Sequence, residues 1–283
     1  MIKKFSNLVV FSHTIFAMPF ALVGFTYALT ATEAQFSAIL LLQVVACMIF
    51  ARNTAMGFNR WADRDIDAKN ERTASREIPA NRISPRSALI FVITNAMLFV
   101  ATACTINPLS AYLSPVALFV VMFYSYCKRF TAAAHLVLGL GLSIAPIGAY
   151  IAVAGQFALA PCILSLVVLT WCSGFDIIYA LQDADFDRKE GLHSIPAKFS
   201  IRGALNISIL LHIISAAALI FFAYLAPHSA WITAGVALFI VILTAEHFLV
   251  TPTRQRNIGI AFGTLNGLAS LTLAIMVIIG LLV

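Results

Sequence analysis

Apolar residues run in blocks of about twenty along this chain, separated by short polar connections, and the alternation recurs nine times. A helix of that length rises about 30 Å, the thickness of a bilayer's hydrocarbon core. The predicted spans are Phe11–Thr30, Phe36–Met56, Ala88–Ile106, Ser110–Tyr126, Ala132–Ala154, Ala158–Ala180, Ala204–Leu225, Ala230–Val250 and Ile258–Leu282. Pro19 and Pro146 fall inside spans and predict kinks; Pro108, Pro161 and Pro227 fall at span ends, as turn residues. The expected fold class is all-α: a multi-pass transmembrane helical bundle of about nine spans, forming one integral-membrane domain over residues 1–283.

Composition agrees with that pattern. Hydrophobic residues make up 61% of the 283, charged residues only 11%, and the mean hydropathy is +0.95. A soluble globular domain is nearer roughly half apolar and is excluded. The net charge of +6 invites a nucleic-acid reading, but its distribution argues against one. Lys3 and Lys4 precede the first span, and Lys128 and Arg129 join the fourth to the fifth. Arg188, Lys189, Lys198 and Arg202 precede the seventh, and Arg254 and Arg256 the ninth. The connections around Glu33, Asn107, Gly155 and His228 hold no Lys or Arg. That is the positive-inside pattern, and an odd span count puts the amino terminus in the cytoplasm and the carboxyl terminus outside. The first apolar run resembles a signal peptide in its flanks, but its length and the span that follows favour an uncleaved helix. The five cysteines lie within apolar spans without ligand spacing and are expected to be small buried hydrophobes.

Charge is so scarce that its clustering is informative. Residues 59–76 hold nine of the thirty charged side chains. Within them Asn59, Asp63 and Asp67 recur every four residues, a spacing that keeps them on one side of a helix. Asp176, Tyr179, Asp183 and Asp187 repeat the device with offsets 0, 3, 7 and 11. Both stretches fall on the basic side of the predicted bundle, so Asp63, Asp67, Asp183 and Asp187 can face one cavity. Four unpaired carboxylates there would repel one another, and a hard divalent cation such as Mg²⁺ removes that cost. The nearby bases Arg72, Arg76, Lys128 and Arg129 suit phosphate oxygens. Acids and bases together on a membrane face point to a lipid-soluble diphosphate. Asp65, Glu71, Glu77, Asp185 and Glu190 read as solvated loop charges. Asp176 lies about one turn inside its span, where an ionisable side chain is a functional candidate by default.

The paired motifs carry a resemblance. Asn59-xxx-Asp63-xxx-Asp67 followed by Arg72-Thr73-xx-Arg76, with Asp176-xx-Tyr179-xxx-Asp183-xxx-Asp187-xxx-Gly191-xx-Ser194, resembles the UbiA superfamily of intramembrane aromatic prenyltransferases. The stretch Tyr124–Thr131 is similar to that family's basic loop after the fourth span, and the resemblance covers essentially the whole chain. It implies Mg²⁺-dependent transfer of a polyprenyl group from a polyprenyl diphosphate to an aromatic acid acceptor, in a bilayer and without nucleic acid. By motif position it implies Asp63, Asp67, Asp183 and Asp187 as metal ligands assisted by Asn59. Arg72, Arg76, Lys128 and Tyr124 would hold the diphosphate, with Asp176 and Tyr179 at the reacting centre. The implied location is the cytoplasmic (inner) membrane, with the site on its cytoplasmic face. The second motif favours a 4-hydroxybenzoate-like acceptor, with a hydroxy-naphthoate for menaquinone as the alternative, and Glu77 stands where many relatives place proline.

Two other classes compete. A cation-coupled transporter also uses buried acids, but its site usually lies near the midplane on broken helices. A non-catalytic scaffold leaves the paired acids unexplained. His13 and His135 are expected to be satisfied interior histidines rather than substrate contacts, and His212 and His247 structural ones. Gly139, Gly141, Ser143 and Gly148 are expected to serve helix packing.

Overall fold

A computed structural model of the chain describes Leu8 and residues 16–283. Lys3, Lys4, His13 and the opening of the expected first span lie outside the described residues. Among those described, nine longer helices follow one another: α1 (Met18–Thr32), α2 (Ala38–Ala62), α3 (Pro85–Cys104), α4 (Pro108–Cys127), α5 (Ala134–Ala154), α6 (Leu159–Ala180), α7 (Ile201–Leu225), α8 (Ala230–Leu249) and α9 (Asn266–Leu282). No strand occurs among the described residues. The eight from α2 onward, α9 counted from Ile260, are long and apolar enough to cross a membrane; the described part of α1 has 15 residues.

The helix starts follow local chemistry. Ser84 and Asn107 accept backbone N–H groups of α3 and α4, and Pro85 and Pro108 occupy the first helical position, where no N–H is needed. Ser200 caps α7 in the same way, so that helix starts at Ile201, three residues before the apolar block. Pro19 sits at the start of the described α1, not inside it. Pro146 lies within α5 as expected, and Pro115 lies within α4. The ninth span is not uniformly α-helical: Ile260–Leu265 form a π-helical segment that leads into α9.

α6 is the most enclosed span and packs between α5 and α7. Its Trp171 and Phe175 join Phe20, Phe222 and Phe239 in the main apolar cluster. Outward faces carry large apolar side chains such as Phe119 and Ile213, which suits a lipid surround. Cys104 and Cys162 also point outward, whereas Cys127 and Cys172 are buried; a lipid-facing thiol is as well placed as an interior one.

The polar connections gather at one end. Residues 63–84, 128–133 and 181–200 touch one another there and hold four short helices: Arg64–Asp67, Leu181–Asp183, Ala184–Lys189 and Ile195–Lys198. The end of α8 and the start of the π segment join the same end through Val250 and Ile258. The base-free connections lie at the other.

Candidate active site

α2 runs on past the predicted span end at Met56 to Ala62, so it carries Asn59 to the threshold of the mouth. There the Asn59 amide donates to Asp63 Oδ2 at 2.9 Å, the contact that a four-residue helical step brings about. α6 breaks at Ala180 into a three-residue 3-10 turn and then a short helix. That path brings Tyr179 and Asp183 to Arg72 of the first acidic stretch and Asp187 to Lys128. Gly191 closes the second motif in a left-handed conformation, φ 68°, that a side chain would strain. This turn lets the Leu192 amide reach Asp187 O at 2.8 Å and the His193 amide reach Lys128 O at 2.7 Å.

Each spaced acid is met by a base from elsewhere in the chain. Arg72 grips Asp183 in a two-pronged pair, Nε–Oδ1 2.9 Å and Nη2–Oδ2 2.5 Å, while its Nη1 donates to Tyr179 Oη at 2.9 Å. Its guanidinium also lies 5.3 Å from the Tyr179 ring centre, and the Asn70 amide adds a donor to Asp183 at 2.9 Å. Arg76 meets Asp67 at 2.6 Å, Lys128 meets Asp187 at 3.0 Å, and Arg129 meets Asp63 at 3.2 Å. Burial pushes the Asp63 carboxyl above the usual carboxylate range, against the pull of Arg129. At Arg72 burial works against the charge, but the Asp183 contact outweighs it and the guanidinium is held more firmly protonated.

The geometry therefore brings the four acids and the expected bases to one mouth, but as separate ion pairs. Among the described residues no three His, Cys, Asp or Glu side chains form a ready metal cluster. The physical reason is local. Each of the four acids has a cation within reach and pairs with it. Asp67 Oδ2 and Asp187 Oδ2 are nevertheless buried with no hydrogen-bond partner. A carboxylate half paired and half orphaned is an unfinished site, and an all-oxygen donor set fits a hard divalent cation.

Below the mouth an apolar cavity of about 350 Å³ opens between α2, α4 and α5. It runs from Arg52 and Tyr124 near the mouth to Ile106 and Phe157 in the far connections. Among the described residues Arg52 is the sole charged one on its wall, and Tyr124 stands at the same end. Gly141 and Gly148 also line it, so they shape the cavity rather than a tight helix contact. Asp176, on α6, bonds His135 at 2.6 Å.

A model of the UbiA prenyltransferase family matches residues 17–280. The chain belongs to that family. It is similar to a UbiA homologue from Aeropyrum pernix K1, with a TM-score of 0.86 and 30% identity over 94% of this chain and 97% of that one. A UbiA homologue from Archaeoglobus fulgidus, bound to GPP and Mg²⁺, shares the fold, with a TM-score of 0.71 and 21% identity over 95% and 99%. A 4-hydroxybenzoate octaprenyltransferase from Tolumonas auensis is 34% identical over 171 residues, which span 60% of this chain and 60% of that protein. One from Aeromonas hydrophila matches at 34% over 176 residues, 60% and 61% of the two chains. The matched stretch thus covers about 60% of the length of these curated relatives.

Within this UbiA-family chain, sequence reasoning passed over two residues of the site. Arg52 is a lone charge in an apolar span and lies seven residues before Asn59, hence on the same helical face; that was signal enough. Asn70 continues the run three residues beyond Asp67.

Proposed function

We propose that this chain transfers a polyprenyl group from its diphosphate to an aromatic acid of the 4-hydroxybenzoate type, with Mg²⁺, from the cytoplasmic face of the cytoplasmic membrane. One observation carries the reading: four carboxylates and four bases, drawn from different segments, ring the entrance of an apolar cavity. Asp63, Asp67, Asp183 and Asp187 are the residues that would hold Mg²⁺. When bound, the cation supplies positive charge for the departing diphosphate. Arg72, Arg76 and Lys128 bind the diphosphate oxygens, and Asn59 and Tyr179 keep Asp63 and Arg72 in place.

The chemistry follows from that placement. The allylic C–O bond breaks and its electron pair leaves with the diphosphate. Apolar walls exclude water from the cation left behind. Arg52 takes the acceptor's carboxylate, since a carboxylate in an apolar cavity requires a cation. The electron-rich ring then forms the new C–C bond, and its displaced proton passes to Asp176, which restores aromaticity. Names of relatives support the acceptor class.

The test is direct. Purified protein with Mg²⁺, a polyprenyl diphosphate and a panel of phenolic and naphthoic acids should yield a prenylated 4-hydroxybenzoate, identified by mass. Preference for a naphthoate would move the acceptor. No product from any acid, with cation uptake in proteoliposomes, would replace the enzyme by a transporter.

A further inference from the structure

His135 and Asp176 form a pair that the diphosphate chemistry leaves unused. His135 lies in the first turn of α5, and Asp176 lies one turn before the end of α6. The two helices approach closely beside them because Gly139 leaves no room for a Cβ between itself and Ser173 and Leu169. Ser173 Oγ spans the gap to His135 O at 3.1 Å, which anchors the backbone on which the ring is carried.

The ring's other contact fixes its proton. The Ile195 amide opens the short helix Ile195–Lys198, so it has no acceptor within that helix. It donates to His135 Nε2 at 3.3 Å. A nitrogen that accepts an N–H carries no proton, so in the neutral ring Nδ1 carries it and donates to Asp176 Oδ2 at 2.6 Å. His135 has only 4% of its side chain exposed, whereas Asp176 retains 21%, so one partner is sealed and the other is presented. Both ring nitrogens are engaged.

We propose that His135 is a positioning residue that holds Asp176 aimed at the aromatic acceptor, with the Ile195 amide locking the histidine in its Nδ1–H form. The order of service is the reverse of that in a hydrolase triad, where the carboxylate orients the histidine. It also explains why the second acidic motif extends to Ser194: that cap sets the Ile195 amide under the ring. This inference rests on the prenyl-transfer reading for the acceptor, but its tautomer claim stands without it.

Two substitutions separate the contacts. In His135→Asn the amide nitrogen can occupy the place of Nδ1; in His135→Gln the amide reaches only the place of Nε2. The expected result is a loss of about 100-fold in acceptor kcat/KM for the Gln variant, the scale of an angstrom-level misplacement. The Asn variant should retain activity within about fivefold on the same scale. Calorimetric binding of geranyl diphosphate with Mg²⁺ and the thermal midpoint in detergent should not change in either. Nitrogen-15 spectra of histidine-labelled wild type should show a neutral Nδ1–H ring that is perturbed by Asp176→Asn. Equal losses in both variants, losses that follow the thermal midpoint, or an Nε2–H ring would overturn the inference while the functional reading stands. A wild type that prenylates no aromatic acid overturns the acceptor role, and the spectra still decide the pair.

Discussion

The bundle holds two polar clusters, and they are built on opposite rules. At the mouth, Asp63, Asp67, Asp183 and Asp187 each face a cation, and two of their oxygens lack a partner. Deep between α6, α7, α8 and α9, the Trp171 indole donates to Asn266 at 2.7 Å and the Asn266 amide donates to Glu246 at 3.0 Å. His212 joins this second cluster through His247 at 2.9 Å and the Trp171 carbonyl at 3.2 Å. No Lys or Arg takes part in any of these contacts. The first cluster is made of charges that can change partners. The second, which also leaves Glu246 Oε2 without a hydrogen-bond partner, packs against Phe20, Phe239 and Leu273 with no Lys or Arg to exchange. Where water is absent, a network of hydrogen bonds holds helices in register; where water can enter, ion pairs can be exchanged for a ligand.

The largest test of this contrast is at the mouth. Asp67→Asn and Asp183→Asn should each cost at least about 100-fold in Mg²⁺-dependent product formation, the scale of losing a principal stabiliser of developing charge. Their double variant should be little worse, because groups acting as a unit are not additive. Their thermal midpoints should stay near wild type. Fully multiplicative losses would separate the two motifs into independent sites.

Next comes the sealed cluster, where the signs reverse. Asn266→Leu strands the Trp171 N–H and one Glu246 oxygen, at roughly 1–3 kcal/mol for each unsatisfied group. A clearly lowered thermal midpoint, with turnover of the folded fraction within about twofold of wild type, is expected. Wild-type stability with lost turnover would place that cluster in the chemistry. A smaller effect is expected between the two, at Arg52. Arg52→Leu should raise the KM for an aromatic acid about tenfold, since one hydrogen bond to a charged group is worth ~1.5 kcal/mol, and should leave the KM for prenyl diphosphate alone. A loss confined to the diphosphate would move Arg52 to the mouth. The smallest effect is at Asp185, 99% exposed and paired with Arg188: Asp185→Asn should change neither rate nor thermal midpoint measurably.

What could be read from the sequence divides along the same line. Span positions and the two acidic runs were plain because hydropathy and rare charge are local signals. α2 overran its predicted end because the same helix carries Asn59 and Arg60 out of the apolar zone, and hydropathy stops where polarity starts. Arg72 pairing with Asp183, 111 positions away, and Trp171 with Asn266, 95 away, leave no trace in either local pattern. His135 was read as a satisfied interior histidine, and it is satisfied; the partner that gives it meaning, Asp176, had been singled out separately. The orphan oxygens of Asp67 and Asp187 are properties of packing alone.

The mouth's ion pairs also bear on inheritance. Arg72 belongs to the first polar segment, yet it grips Tyr179 at the end of α6 and Asp183 of the third; Lys128 belongs to the second and grips Asp187 of the third. A segment transplanted alone from a relative with a slightly different loop would arrive with half of each lock and none of its keys. Natural variation here must therefore move in matched sets, and a working chimera must cut the chain so that residues 59–76, 124–131 and 176–195 travel together.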